Sequence, residues 1–406
     1  MSRFPGENTR AAHPPAPPAA GARPLGLPVH RSTTYAFESS QQFADVLDGA
    51  AEGYSYSRID NPTADAFAQA VAAAEGAGLD RPVTGQPFAS GMAAITAVLL
   101  ATTGAGDHVL APAAVYGNTR SLLTGLLARF GLRSDFVDIT DHDAVRAAIR
   151  PNTRVLFTET LANPTMTVSD LPALARIAHD AGALLVVDST FASPVVCRPL
   201  EHGADLVLHS ATKYIGGHSD ATGGVVVGPP ELMRDVRSVR VDTGSGLAPD
   251  DAFLLRRGME TLPLRVRRQC ANASVFAAAL HRHPMVLRID YPGLVDHPGH
   301  DTARRLFDSG PEGTRFGACV TITPHGGREA GMRFADGLRL AQVAASLGGT
   351  HTLAGHIAST THRQFDDAAL AAAGIDPGAV RFSIGIEDPE DLIADATAAL
   401  DRLRPS

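Results

Sequence analysis

The 35 basic side chains of this 406-residue sequence include one lysine, Lys213; the others are arginine. Arginine supplies charge, ion pairs and anion contacts, but its guanidinium stays protonated and cannot act as a neutral nucleophile. A lysine kept against that background is a candidate for chemistry that needs a free amine. Lys213 sits in Asp205-Leu206-Val207-Leu208-His209-Ser210-Ala211-Thr212-Lys213-Tyr214-Ile215-Gly216-Gly217, where an apolar run breaks into hydroxyl residues and glycines. That pattern predicts a buried strand that delivers the amine onto a loop. Ser210 and Thr212 are placed to donate hydrogen bonds, and the glycines let backbone approach a ligand closely.

An amine beside phosphate donors points to pyridoxal phosphate. The aldehyde of that cofactor needs a lysine for its Schiff base, and its pyridine nitrogen needs an acidic partner. Upstream, Ala183-Leu184-Leu185-Val186-Val187-Asp188-Ser189-Thr190 is an apolar run that ends in a carboxylate. In a parallel sheet buried on both faces, Asp188 falls at a strand's carboxyl end, where ligands bind in open α/β folds. Alone, the same Asp would serve equally well as a turn cap. Paired with Lys213, it is the candidate partner of the pyridine nitrogen.

Between about residues 60 and 250, apolar runs alternate with helical patterns, as in βαβ units with a mostly parallel sheet. Residues 107–112, 153–158, 184–188 and 205–209 read as strands. Residues 141–150 and 170–181 read as helices with polar starts. Ser90-Gly91-Met92 opens an apolar helical stretch over 93–101, so that backbone amides and a positive helix end can face an anion. From about residue 251 the pattern is a long connecting helix followed by a smaller α+β domain.

Further motifs extend these readings: Tyr56-Ser57-Arg58-Ile59-Asp60-Asn61-Pro62-Thr63, Val115-Tyr116-Gly117-Asn118-Thr119 and Arg381-Phe382-Ser383-Ile384-Gly385-Ile386-Glu387-Asp388. With the Ser90, Asp188 and Lys213 segments, they make the chain resemble the Cys/Met metabolism enzymes that use pyridoxal phosphate. Those include cystathionine γ-synthase and γ-lyase, methionine γ-lyase and the O-acylhomoserine sulfhydrylases. The resemblance runs from about residue 29 to 400. It implies an α/β fold of the aspartate aminotransferase-like type I class, a mostly parallel sheet with helices on both faces plus a smaller C-terminal α+β domain. It also implies an arm over 1–60 that contacts a neighbouring subunit, a large cofactor domain over 61–250 and a C-terminal domain over 251–406.

Residue by residue, the resemblance implies that Lys213, Tyr116 and Asp188 are catalytic. Gly91, Met92, Ser210 and Thr212 would hold the cofactor's phosphate end, joined by Tyr56 and Arg58 from the neighbouring subunit. Tyr116 would stack on the pyridine with its phenol near the leaving group, and Asn163 would hydrogen-bond the cofactor's phenolic oxygen. Arg381 would clamp the substrate's α-carboxylate bidentately, a task suited to a planar guanidinium. Ser346 and Asn163 complete the expected substrate contacts. Glu159 matches a family glutamate, whereas Leu161 stands where a proline is usual and alters the expected loop shape.

The implied reaction is γ-elimination or γ-replacement on a sulfur-containing or O-acylated amino acid. Departures from the family pattern bear on the substrate. Ala345 stands where cystathionine enzymes commonly carry a glutamate, which favours an uncharged distal group. Asn118 stands where many methionine γ-lyases have cysteine, Ser189 replaces a usual asparagine, and Ser359-Thr360-Thr361-His362 resembles the run of O-acylhomoserine sulfhydrylases. The reading is methionine γ-lyase-like first and sulfhydrylase-like second, with the cystathionine enzymes as alternatives. An aminotransferase would need the same Lys and Asp, and a noncatalytic assembly protein is the rival from another class.

Composition bounds the partners. A formal charge of −8 argues against nucleic acid, whose binding is dominated by attraction to basic surfaces. The longest apolar stretch, residues 92–101, is well short of the roughly 18 residues needed to span a bilayer. Histidines, cysteines and acids show no zinc spacing, so no metal is expected. Cys197, Cys270 and Cys319 are an odd number that fits a reducing cytoplasm. Residues 11–28, rich in Ala and Pro, lack a basic start followed by an apolar core, so no secretory signal is expected there and an extended or disordered arm is. The resemblance, not composition, implies the partners: a small amino-acid substrate and further copies of the chain, in a homotetramer built from dimers that share active sites.

Overall fold

The computed structural model describes residues 6–13, 24–363 and 365–404. Seven strands make its larger sheet: β1 (Thr84–Phe88), β2 (His108–Pro112), β3 (Arg133–Val137), β4 (Thr153–Glu159), β5 (Leu184–Asp188), β6 (Leu206–Ser210) and β7 (Gly224–Gly228). Their spatial order is β1-β7-β6-β5-β4-β2-β3. From β3 across to β6 every neighbouring pair is parallel. Only β7 runs against both of its neighbours, β6 and β1, so the mostly parallel α/β sheet expected from the sequence is what forms.

The apolar runs of β4, β5 and β6 are explained by burial on two faces. Val155, Phe157, Val186, Leu206 and Leu208 pack with the helix Gly91–Thr102 on one side. Leu156, Leu185, Val187 and Val207 pack with the helices Pro62–Glu75 and Leu171–Asp180 on the other. Each helix starts where a short polar side chain caps it. Asn61 accepts from the Thr63 and Ala64 N–H groups, Ser90 from Ala93 and Asp170 from Ala173. These caps satisfy N–H groups that a helix start otherwise leaves unpaired. Because the Ser90 cap sets the boundary, the helix begins at Gly91, two residues before the stretch at 93.

The 32-residue helix Pro249–Leu280 leads to a second sheet. Its order is Gln342–Val343, Leu353–His356, Val380–Ser383, Cys319–Pro324, Val286–Asp290. The outermost pair is parallel and the remaining pairs are antiparallel. Phe382, on the central strand, packs against Phe276 of the long helix and Phe334, with ring centroids 5.3 and 5.6 Å away.

The amino-terminal expectation needs correcting at Ala11 and Ala12. They belong to a short helix, Glu7–Ala12, rather than to an extended arm. Arg267 of the long helix holds it by donating to the Glu7 carboxylate and to Asn8 Oδ1. Residues 14–23 of the predicted arm lie outside the described residues.

Candidate active site

The carboxyl ends of β4, β5 and β6 face the strand Val380–Ser383 across a cavity of about 340 Å³. Ten of the predicted site residues line it: Gly91, Met92, Tyr116, Asn163, Asp188, Ser210, Thr212, Lys213, Ser346 and Arg381. Tyr56 and Arg58 are not among its lining residues. Both are exposed, with the Arg58 Cζ 5.7 Å from the Tyr56 ring centroid and its Nη1 donating to the Val241 carbonyl at 2.9 Å.

Lys213 leaves β6 on a tight turn, and its Nζ donates to Ser346 Oγ at 2.8 Å. Ser346 has a φ of 91°, in the left-handed region that disfavours a residue with a side chain. From that position its carbonyl also accepts from Arg381 Nη2 at 3.0 Å. The other terminal nitrogen, Nη1, donates to Asn163 Oδ1 at 2.8 Å, and the guanidinium carbon lies 5.6 Å from the Phe191 ring centroid. Burial, reinforced by the nearby Arg381 charge, lowers the Lys213 pKa. Both effects favour the neutral amine, the form that can act as a nucleophile or base.

Asp188 ends β5, where its Oδ1 accepts the Thr190 N–H at 3.0 Å. Burial raises its pKa, opposed by the Thr190 hydrogen bonds and by His209. The Thr190 hydroxyl accepts the Ser210 N–H at 2.8 Å, which ties the Asp188 turn to the start of the Lys213 loop. Thr190 was not foreseen as a site residue, nor were Phe191, Leu347 and Thr361, which also line the cavity. Thr190 and Phe191 stand two and three residues after the strand-ending carboxylate, a place that does not by itself mark a site residue.

The amino end of the helix Gly91–Thr102 closes the opposite end of the cavity. A Cβ on Gly91 would lie 2.6 Å from the Ser210 Cβ, so glycine is what lets the helix end sit against β6. The Thr212 hydroxyl donates to the Gly223 carbonyl at 3.2 Å and accepts the Gly223 N–H at 3.0 Å. Those bonds fix the loop that carries Lys213.

Glu159, at the end of β4, accepts the Tyr116 N–H at 2.9 Å and the Asn163 N–H at 3.3 Å, one on each carboxylate oxygen. It therefore anchors two cavity residues from a single buried side chain. Burial, and next the Asp188 charge, push its pKa up to about 8. Leu161, at the position where a proline was expected, is buried and pairs with Val168 in an isolated bridge.

The donor set fits pyridoxal phosphate. Lys213 offers an amine biased toward neutrality, and Asp188 is a half-buried carboxylate whose raised pKa would be reversed by a fixed cation. The Gly91 helix end with Ser210 suits an anion, and Arg381 Nε is buried without a partner. Residues 8–401 match the family of Cys/Met metabolism PLP-dependent enzymes.

The chain belongs to this family.

Its relatives include the L-methionine γ-lyase of Pseudomonas putida, 41% identical with 98% of each chain covered. The O-succinylhomoserine sulfhydrylase of Pseudomonas aeruginosa is 39% identical, with 93% of this chain and 91% of that protein covered. A solved Campylobacter jejuni structure, assigned as an O-acetylhomoserine (thiol)-lyase and holding N'-pyridoxyl-lysine-5'-monophosphate, superposes with a TM-score of 0.90. It is 31% identical, with 97% of this chain and 99% of that chain covered. The protein is thus a pyridoxal-phosphate-dependent enzyme of the type I fold.

Glu159 gives a pH signature. Its folded pKa of about 8 lies above the ordinary 4.5, so the folded state binds more protons than the unfolded state between those values. Its contribution to stability is complete below about 4.5 and is lost as pH rises through about 8. Glu159→Gln should flatten the fall in Tm of the cofactor-free protein across that window. An unchanged slope relative to the unsubstituted protein would show that Glu159 is ionised in the fold.

Proposed function

We propose that the protein is a carbon–sulfur lyase of the methionine γ-lyase kind, which eliminates an uncharged γ-substituent from an amino acid. The observation that carries this reading is the convergence of the Lys213 amine, the Asp188 carboxylate and the Arg381 guanidinium on one cavity whose remaining wall is largely apolar. Ile95, Leu161, Phe191, Ala345 and Leu347 form much of that wall. The cavity's two carboxylates, Glu159 and Asp188, already accept backbone N–H groups. Asp188 is the partner expected for the pyridine nitrogen, and burial biases Glu159 toward its neutral form, so a distal ammonium, as in cystathionine, finds no spare anion in this lining. The second reading, an O-acylhomoserine sulfhydrylase, is supported by Thr361 in the cavity wall.

When bound, pyridoxal phosphate supplies an electrophilic aldehyde and an electron-accepting pyridine ring. Lys213 Nζ would hold that aldehyde and, as a free amine, would take the substrate's α-proton. Ser346 Oγ gives the free amine a partner, so that it stays within reach. Asp188 would pair with the pyridine nitrogen and keep its proton in place. Gly91, Met92, Ser210 and Thr212 would hold the phosphate end, and Asn163 the phenolic oxygen. Arg381, oriented by Asn163 and Ser346, receives the substrate α-carboxylate on its planar fork. Tyr116 would stack on the ring and give a proton to the departing γ-group.

The exposed Tyr56 and Arg58 complete a neighbour's phosphate site, in a homotetramer built from dimers that share active sites. Residues 1–60 then serve as the arm, 61–250 as the cofactor domain and 251–406 as the substrate-carboxylate domain. Three free, buried cysteines support a place in the reducing cytoplasm.

Lys213→Ala should abolish the visible absorbance of bound cofactor and nearly all turnover; retained turnover would remove Lys213 from the mechanism. A panel of methionine, cystathionine, cysteine and O-acylated homoserines, with 2-oxobutanoate, pyruvate and thioether products measured separately, decides the substrate. The account expects 2-oxobutanoate from methionine. Activity confined to cystathionine would overturn the use made of Ala345.

A further inference from the structure

Tyr116 has a specific partner two residues along the chain. The Asn118 Nδ2 donates to the Tyr116 phenol oxygen at 3.1 Å, across Gly117 at the start of the short helix Gly117–Ser121. The Tyr116 backbone is itself held by Glu159, so the ring and its amide partner share one fixed turn. A phenol oxygen carries one hydrogen and accepts others. With Asn118 on the accepting side, the phenol hydrogen is left for a group inside the cavity.

We infer that Asn118 is a positioning residue acting through Tyr116: it aims the phenol hydrogen at the γ-leaving group and stabilises the phenolate that remains. The inference rests on the γ-elimination reading above. In the step concerned, the Cγ–S bond breaks with its electron pair on sulfur. The Cβ–Cγ π bond forms from the pair left by β-proton removal. The Tyr116 O–H bond breaks as S–H forms, and solvent then returns a proton to the phenolate. Arg381, Asp188, Glu159 and Lys213 are the ionisable groups that share the cavity with this phenol. Burial raises the Tyr116 pKa, with Arg381 opposing and Asp188 and Glu159 reinforcing the rise. An accepted N–H counters that rise and makes the phenol a better acid.

Leaving groups separate this role from simple packing. A thiolate leaving from methionine needs a proton, whereas the carboxylate leaving from O-succinylhomoserine does not. Asn118→Ala should lower kcat for methionine about 3- to 10-fold, the range set by one neutral hydrogen bond, with a much smaller loss for O-succinylhomoserine. Asn118→Asp, which accepts where the amide donates, should turn the phenol hydrogen away and cost more than Ala. In a Tyr116→Phe background, Asn118→Ala should add nothing. A readout independent of turnover uses 3-fluorotyrosine at position 116 of the cofactor-free protein. Fluorination acidifies the phenol, and its fluorine resonance reports ionisation, so Asn118→Ala should raise the titration midpoint. Equal losses with both substrates, Asp tolerated better than Ala, or an unmoved midpoint would overturn the inference. If the unsubstituted protein turns over neither substrate, the γ-elimination reading falls and the fluorine titration alone decides the role of Asn118.

Discussion

The site depends on the parallel pairing of β5 with β6, in which Asp188 stands opposite Leu208. That register ends both strands on the same side of the sheet. It sets the carboxylate of one beside the Lys213 loop of the other, although 25 residues of sequence separate them. The Thr190 hydroxyl then joins the two ends by accepting the Ser210 N–H. Because side chains alternate across a sheet, a slip of one residue would carry Asp188 to the opposite face. That slip would also exchange Leu185 and Val187 with Val186 between the two packed layers, which close packing opposes.

The second constraint joins the two sheets. Ser346, in a left-handed conformation, meets Lys213 with its hydroxyl and Arg381 with its carbonyl. Asn163 reaches the same guanidinium from the loop after β4. Lysine, arginine and amide thus come from three distant parts of the chain and are fixed by one short network. Burial works on all of it in one direction, favouring the neutral forms of Lys213, Asp188 and Glu159. Asp188 and the Arg381 guanidinium are thereby held in fixed positions on one cavity, as the proposed function requires.

The parallel sheet was legible because strands buried on both faces read as unbroken Val and Leu runs ending in Asp188 and Ser210. The sequence singled out Lys213 and Asp188 because only a few residue types can perform the expected chemistry, and the fold brings both to one cavity. Thr190 was not singled out, since a hydroxyl after a strand carries no mark until the neighbouring strand's N–H is seen to meet it. The bond between Lys213 and Ser346 spans 133 residues, and its geometry depends on a backbone angle that sequence does not display. The helix Glu7–Ala12 was hidden for a similar reason. Its anchor is Arg267, far along the chain, and the Ala/Pro content nearby argued for extended structure. Glu159 was found by family resemblance alone, and its two backbone partners emerge only in the fold.

The account as a whole requires that one nitrogen carry the cofactor. Borohydride reduction of fully loaded protein, followed by digestion and mass analysis, addresses that requirement directly. The pyridoxyl adduct should appear on the peptide bearing Lys213, and that peptide should be depleted in its unmodified form. An unmodified Lys213 peptide from protein shown to be loaded would contradict the central claim.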